Sequence, residues 1–189
     1  MASSSGLTPS QTVGPFFSFA LLDTIGNDLV PPGTPGAIRI QGTVTDGNGD
    51  PVPDAMVELW QANAAGRYAD AADPRQDLSA TEGFTGLGRS GTEDGGRFSF
   101  LTVKPGVVPG PDGAPQAPHV DVSVFARGLL KRLVTRIYFP DEVEANAVDP
   151  LLSTLEPADA ATLVAVPDGD ALRFDIRLQG DRQTVFLAV

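Results

Sequence analysis

His119, Asp121 and Ser123 stand at alternate positions of Pro118–Val124, an imidazole, a carboxylate and a hydroxyl spaced to share one face of an extended chain, with Val120, Val122 and Val124 on the other. That trio invites a hydrolase reading. A serine triad needs its base touching both partners, however, and neighbours two apart on one strand are parallel and roughly 7 Å apart. As a metal site the set offers one good ligand and one poorer one, and Tyr68 and Tyr138 are the other unusual oxygen donors. The chain holds one His, two Tyr, one Trp and no Cys. Thiolate zinc sites, cysteine nucleophiles, disulfides and a two-histidine, one-carboxylate iron site are therefore excluded, and the chain is expected to bind no transition metal well on its own. The plainer expectation for the His119 face is a polar strand surface hydrogen-bonded within an interface.

Other residues carry weaker signals. Tyr68 follows Gly66-Arg67 in a loop and reads as packing over a sheet edge, and Trp60 as a large residue in the core or at a cleft rim. Thirteen basic and 24 acidic residues give a net charge of −11, a field that repels nucleic acid and anionic membranes. An anionic substrate would need a placed cation. Arg127, in Phe125-Ala126-Arg127-Gly128 where a strand runs into a loop, is the candidate. Arg136, mid-strand, reads as a solvated or interface residue.

The elements that must position these groups are short. The 21 glycines and 17 prolines of the 189 residues separate alternating segments, which predicts an all-β sandwich with long loops and minor short helices. Strands are expected at Ile38–Thr45, Ala55–Trp60, Arg97–Val103, His119–Phe125, Leu133–Phe139, Phe174–Leu178 and Thr184–Val189. The first two read as a hairpin about Asp46-Gly47-Asn48-Gly49-Asp50. Asp141, three residues before Glu144, suggests a capping-box start to a short helix reaching Val148, and Pro157–Leu163 suggests another. Residues 63–89 carry no regular pattern. Residues 1–36 read as an N-terminal arm whose apolar run Val13–Leu22 must be covered, either by its own sandwich or by contact with another subunit, and residues 37–189 as the sandwich domain. No basic stretch precedes an apolar run at the N-terminus and no apolar stretch approaches a membrane span, so a soluble, cytoplasmic protein is expected.

Taken in order, several segments resemble one family. Thr8-Pro9-Ser10-Gln11-Thr12-Val13-Gly14-Pro15-Phe16-Phe17 is similar to the N-terminal motif of the intradiol ring-cleaving dioxygenases. Val57–Asn63 with Gly66-Arg67-Tyr68 resembles their segment bearing a tyrosine ligand, and Asp94–Phe100 with Lys104-Pro105-Gly106 their central strand and turn. Ala117-Pro118-His119, Phe125–Gly128 and Phe174–Gly180 with Thr184-Val185-Phe186 resemble the α-type subunit of their hetero-oligomeric members.

The resemblance implies a β-sandwich of the intradiol dioxygenase type and a non-haem Fe(III) enzyme of aromatic catabolism. The reaction implied is cleavage of 3,4-dihydroxybenzoate by O2 to 3-carboxy-cis,cis-muconate. Catalytic chains of the family hold iron with two tyrosines and two histidines. Those positions fall here on Tyr68, Val108, His119 and Asp121, and an arginine that the catalytic chains carry falls on Gln116. With two ligands missing, the Fe(III) is expected on a homologous β subunit, in a higher oligomer of αβ pairs, and no metal on this chain. Arg127 would meet the substrate carboxylate, with Thr12, Gly14 and Pro15 lining the partner's pocket; guanidinium suits that role because it pairs a carboxylate through two parallel hydrogen bonds. Two alternatives stay open. One is a stand-alone transthyretin-like binding module, which the segment Ile38–Trp60 also resembles. The other is an independent iron site built from Tyr68, His119, Asp121 and Tyr138.

Overall fold

A computed structural model describes residues 7–14, 16–110 and 112–188. Its strands are β1 (Ala37–Thr45), β2 (Met56–Trp60), β3 (Leu87–Gly91), β4 (Arg97–Val103), β5 (Val108–Pro109), β6 (Pro115–Gln116), β7 (His119–Phe125), β8 (Leu133–Tyr138), β9 (Val166–Asp168), β10 (Ala171–Arg173) and β11 (Ile176–Arg177). Three helices of five residues each, α1 (Phe17–Leu21), α2 (Val143–Ala147) and α3 (Pro157–Ala161), lie between or before them. None of the described helices is long and apolar enough to cross a membrane.

Two sheets face each other. In the first, β1 pairs antiparallel with β4 along one edge and parallel with β10 and then β11 along the other, and β9 extends β10. The second runs β3-β2-β7-β8, all antiparallel. Alternation places one row from each strand inside: Ile40 and Val44, Phe98 and Phe100, Val57 and Leu59, Val120, Val122 and Val124, and Ile137 form one buried cluster between the sheets. The all-β sandwich expectation is met.

Several expected elements differ. β1 and β2 are not a hairpin but belong to opposite sheets. The chain does turn at Asp46, whose Oδ1 accepts the N–H groups of Asn48 and Asp50, and Val52 N–H still donates to Val44 at 2.9 Å. Pro51 and Pro53 lack the donors a ladder needs, so pairing stops and the chain crosses to the second sheet. Phe174–Leu178 is not one strand. Phe174 N–H donates to Gln41 and the Asp175 carboxylate accepts Thr43 N–H, so the run is interrupted between β10 and β11. Gly42 makes that approach feasible: a Cβ there would lie 1.9 Å from the Phe174 carbonyl oxygen. Residues 184–188 form no strand, because their hydrogen bonds go to Arg177, Thr162 and β8 in turn rather than to one neighbour; Val189 lies outside the described residues. At α2 no capping box forms. The N-cap is Glu142 without a side-chain capping bond, and the Asp141 and Glu142 carboxylates both pair with Lys104 instead.

Within the stretch read as an arm, residues 26–30 stitch β3 to β4. Gly26 accepts Arg89 N–H, Leu29 N–H donates to Leu101, and Leu29 and Val30 are fully buried. Leu7 and Phe16 are exposed.

Candidate functional site

The residues singled out in the sequence gather at opposite ends of β7. At its start, His119 is buried and its Nδ1–H donates to the Ala117 carbonyl at 2.7 Å. Its Nε2 lies 3.9 Å from Asp121 Oδ1. Burial, then the charge of Arg136, lowers the His119 pKa, so the ring is neutral. Asp121 stands between Trp60 on β2 and Arg136 on β8, its ladder neighbours on either side.

Tyr68 reaches the same place from the loop after β2. Its ring stacks on Trp60, centroids 5.5 Å apart and 5° from parallel, with the Arg75 guanidinium 5.4 Å from the ring centroid. Asn63 and Asp73 fold this loop. Asn63 Oδ1 accepts Ala65 and Arg67 N–H, while Asp73 accepts Tyr68 N–H and grips Arg75 through two bonds of 2.9 and 2.8 Å. The loop lies directly on the turn leading to Val108. Gly106 N–H and Gly66 N–H both donate to the Asn63 carbonyl, and a Cβ on Gly66 would sit 2.3 Å from the Val107 carbonyl oxygen. This close approach explains why glycine precedes Arg67-Tyr68 and follows Pro105. Burial, then Asp121, raises the Tyr68 pKa and keeps the phenol protonated.

Tyr68, Val108, His119 and Asp121 thus converge, and Arg136 stands among them. Its Nε donates to Asp121 at 2.9 Å, and its Nη1 donates to Gln116 Oε1 at 2.7 Å and faces the Tyr138 hydroxyl at 3.4 Å. Gln116 is the ladder partner of Val108, and Tyr138 of His119. The expectation of a solvated Arg136 is corrected here: its side chain is 19% exposed, because its cross-strand neighbour is a half-buried carboxylate that requires a cation. Tyr138 is fully buried, its pKa is raised by that burial, and its hydroxyl donates to Asp149 at 3.0 Å. That makes it a packing residue committed to Asp149.

Asp149 is fully buried and also accepts the N–H groups of Ala117, Leu151 and Leu152. It was missed from sequence, although Asp149-Pro150 before a short helical turn is a recognisable cap-like signal.

These residues do not fit a metal ion. Valine offers no donor, Asp121 already serves a guanidinium, and the histidine and tyrosine that remain lie beside that cation. Among the described residues no three His, Asp or Glu side chains cluster as a metal site.

At the far end of β7 a second arrangement forms. From His119 to Phe125 the strand rises about 20 Å, so Arg127 cannot share the Tyr68 site. The Arg127 guanidinium is 68% exposed and pairs with Asp54, which lies just before β2. Thr12 crosses over this loop. Its hydroxyl accepts Gly128 N–H at 2.8 Å and reaches the Ala126 carbonyl at 3.5 Å, so it bonds on both sides of Arg127. Gly14 is exposed nearby in sequence, with open space about its Cα, and Pro15 lies outside the described residues.

Comparison with known proteins agrees with this arrangement of elements. A family model described as "Dioxygenase" matches residues 21–180. The protocatechuate 3,4-dioxygenase alpha chain of Pseudomonas putida is 43% identical over 196 residues, covering 95% of this chain and 94% of that one. The protocatechuate 3,4-dioxygenase beta chain of Burkholderia cepacia is 38% identical over 153 residues, covering 76% and 64% respectively. Among solved structures, the dioxygenase domain of a dioxygenase and carbohydrate-binding fusion from Streptomyces sp. SirexAA-E superposes with a TM-score of 0.60 at 28% identity, over 92% of this chain and 98% of that one. With the family model spanning most of the sandwich and an α chain matched from end to end, the chain belongs to the intradiol dioxygenase family.

Proposed function

We propose that this chain is the iron-free, α-type subunit of a protocatechuate 3,4-dioxygenase and completes the active site of an iron-bearing β homologue. The observation that supports this most is the separation of the two sites along β7. The former ligand positions at one end are closed by Arg136, whereas the surface cation at the other end lies about 20 Å away and is splinted by Thr12. A guanidinium so placed cannot serve its own chain's ligand set, but it can serve a pocket on a neighbour. Similarity to both α and β chains of protocatechuate dioxygenases supports a homologous partner.

The reaction joins 3,4-dihydroxybenzoate and O2 into 3-carboxy-cis,cis-muconate: the ring bond between the two hydroxylated carbons breaks and both oxygen atoms enter the product. Fe(III), supplied by the β subunit, carries the redox chemistry. This chain's residues bind and orient. Arg127 pairs the substrate carboxylate, which a chain of net charge −11 would otherwise repel. Thr12 holds the Arg127 loop, and the backbone at Gly14 and Pro15 lines the partner's pocket.

The test is iron content and visible absorbance of this chain alone and after co-expression with a β chain. The expected result is a colourless, iron-free chain and a red-brown complex that cleaves protocatechuate. A tyrosinate-to-Fe(III) band in the isolated chain would overturn the reading, and a monomer that ignores the β chain would make it a binding module.

A further inference from the structure

The loss of two donors does not by itself account for how the Tyr68–Val108–His119–Asp121 region is built. Without a metal, the half-buried Asp121 carboxylate is left needing another cation, because an unpaired charge there is costly. The structure supplies one. Arg136 spends Nε on Asp121 at 2.9 Å and Nη1 on Gln116 at 2.7 Å, with the Tyr138 hydroxyl at 3.4 Å. Asp121 is a former ligand position, Gln116 is paired to Val108, and Tyr138 is paired to His119. The same ion pair borders the histidine position, since Asp121 Oδ1 lies 3.9 Å from His119 Nε2.

We propose that Arg136 is an internal cation standing in for the metal's charge, and that it keeps this subunit metal-free independently of the missing ligands. The side chain is held from two elements, β6 and β7, by two directional hydrogen bonds. A ferric ion entering beside it would meet like charge at close range in a region of low dielectric, and Asp121 cannot serve both cations. This inference rests on the assignment of the four ligand positions and not on the carboxylate role of Arg127, so the two can fail separately.

The experiment compares two variants of the full chain, Val108→Tyr/Asp121→His and Val108→Tyr/Asp121→His/Arg136→Gln, each incubated with iron and read by metal content and visible absorbance. With Arg136 present, the expected result is substoichiometric iron and no tyrosinate band. With glutamine in its place, iron approaches one per chain and the band appears. Stoichiometric iron with Arg136 retained would overturn the proposal, as would a folded triple variant that stays iron-free. A second pair decides the point if the triple variant does not fold. An internal cation balancing Asp121 predicts that Arg136→Gln lowers Tm by several degrees and that adding Asp121→Asn recovers part of the loss. Losses that simply add would mean that Arg136 balances no charge there.

Discussion

The Thr12 hydroxyl accepts the Gly128 N–H at 2.8 Å, joining the N-terminal segment to the Arg127 loop across 116 residues of chain. Thr12 therefore fixes the backbone on both sides of Arg127. Replacing it by valine keeps the shape and removes the acceptor. A net hydrogen bond of about 0.5–1.5 kcal/mol corresponds to a loss of roughly 2- to 10-fold. The loss is expected in KM for protocatechuate in the assembled enzyme, with kcat and iron content little changed. Thr12→Ser should recover most of it, whereas equal damage from serine and valine would point to packing by the methyl group.

Arg127→Ala tests the carboxylate role directly. Removing one partner of a charge-assisted pair buried in a complex costs about 2–5 kcal/mol, so kcat/KM should fall by more than an order of magnitude while assembly and iron content persist. A substrate analogue lacking the carboxylate separates this role from general damage, because its turnover should be insensitive to the substitution. Wild-type kinetics with protocatechuate in the variant would remove Arg127 from the site.

What could be read beforehand divides by range of interaction. Alternation along β7 and β8 is local, so both strands, the valine face of β7 and the place of Arg127 just past a strand end were legible in the chain alone. The partner of Arg136 was not. Its burial depends on the register that sets it opposite Asp121, and register comes from sheet assembly, not from either strand's own pattern. The β1–β2 hairpin failed for a related reason: Asp46–Asp50 signals a turn truthfully, but Pro51 and Pro53 decide which sheet the chain joins next. The loop around Tyr68 has no periodicity to detect. It is ordered by side chain to backbone bonds from Asn63 and Asp73, which no hydrophobic pattern records.

Asp73 gives that loop a pH dependence. Its bidentate bond to Arg75, against the opposing effect of burial, holds its carboxyl well below the ordinary carboxylate value. A depressed folded pKa contributes stability that is present in full above the unfolded value of about 3.9 and is lost as pH falls through the folded one. Asp73→Asn should therefore be less stable than wild type at pH 7 in urea denaturation, and the gap should narrow as pH drops below about 4. A gap that stays constant down to acid pH would show that the carboxylate's charge plays no part.

Gly66 carries two separable demands, a φ of +81° and a Cβ direction that ends 2.3 Å from the Val107 carbonyl oxygen. Gly113 shares the first, with φ +83°, but has open space around it. Alanine at either position incurs the left-handed backbone cost of about 1–2 kcal/mol. Only at Gly66 must the Tyr68 loop also move off the turn before Val108, because backbone on both sides leaves no flexible side chain to yield. Gly66→Ala should thus lose distinctly more stability than Gly113→Ala in urea titration, and the stretch 67–84 should become the first site of limited proteolysis. Equal losses in the two variants, with the loop still protected, would mean that Gly66 serves backbone conformation alone and that the contact between the Tyr68 loop and the Val108 turn relaxes without cost.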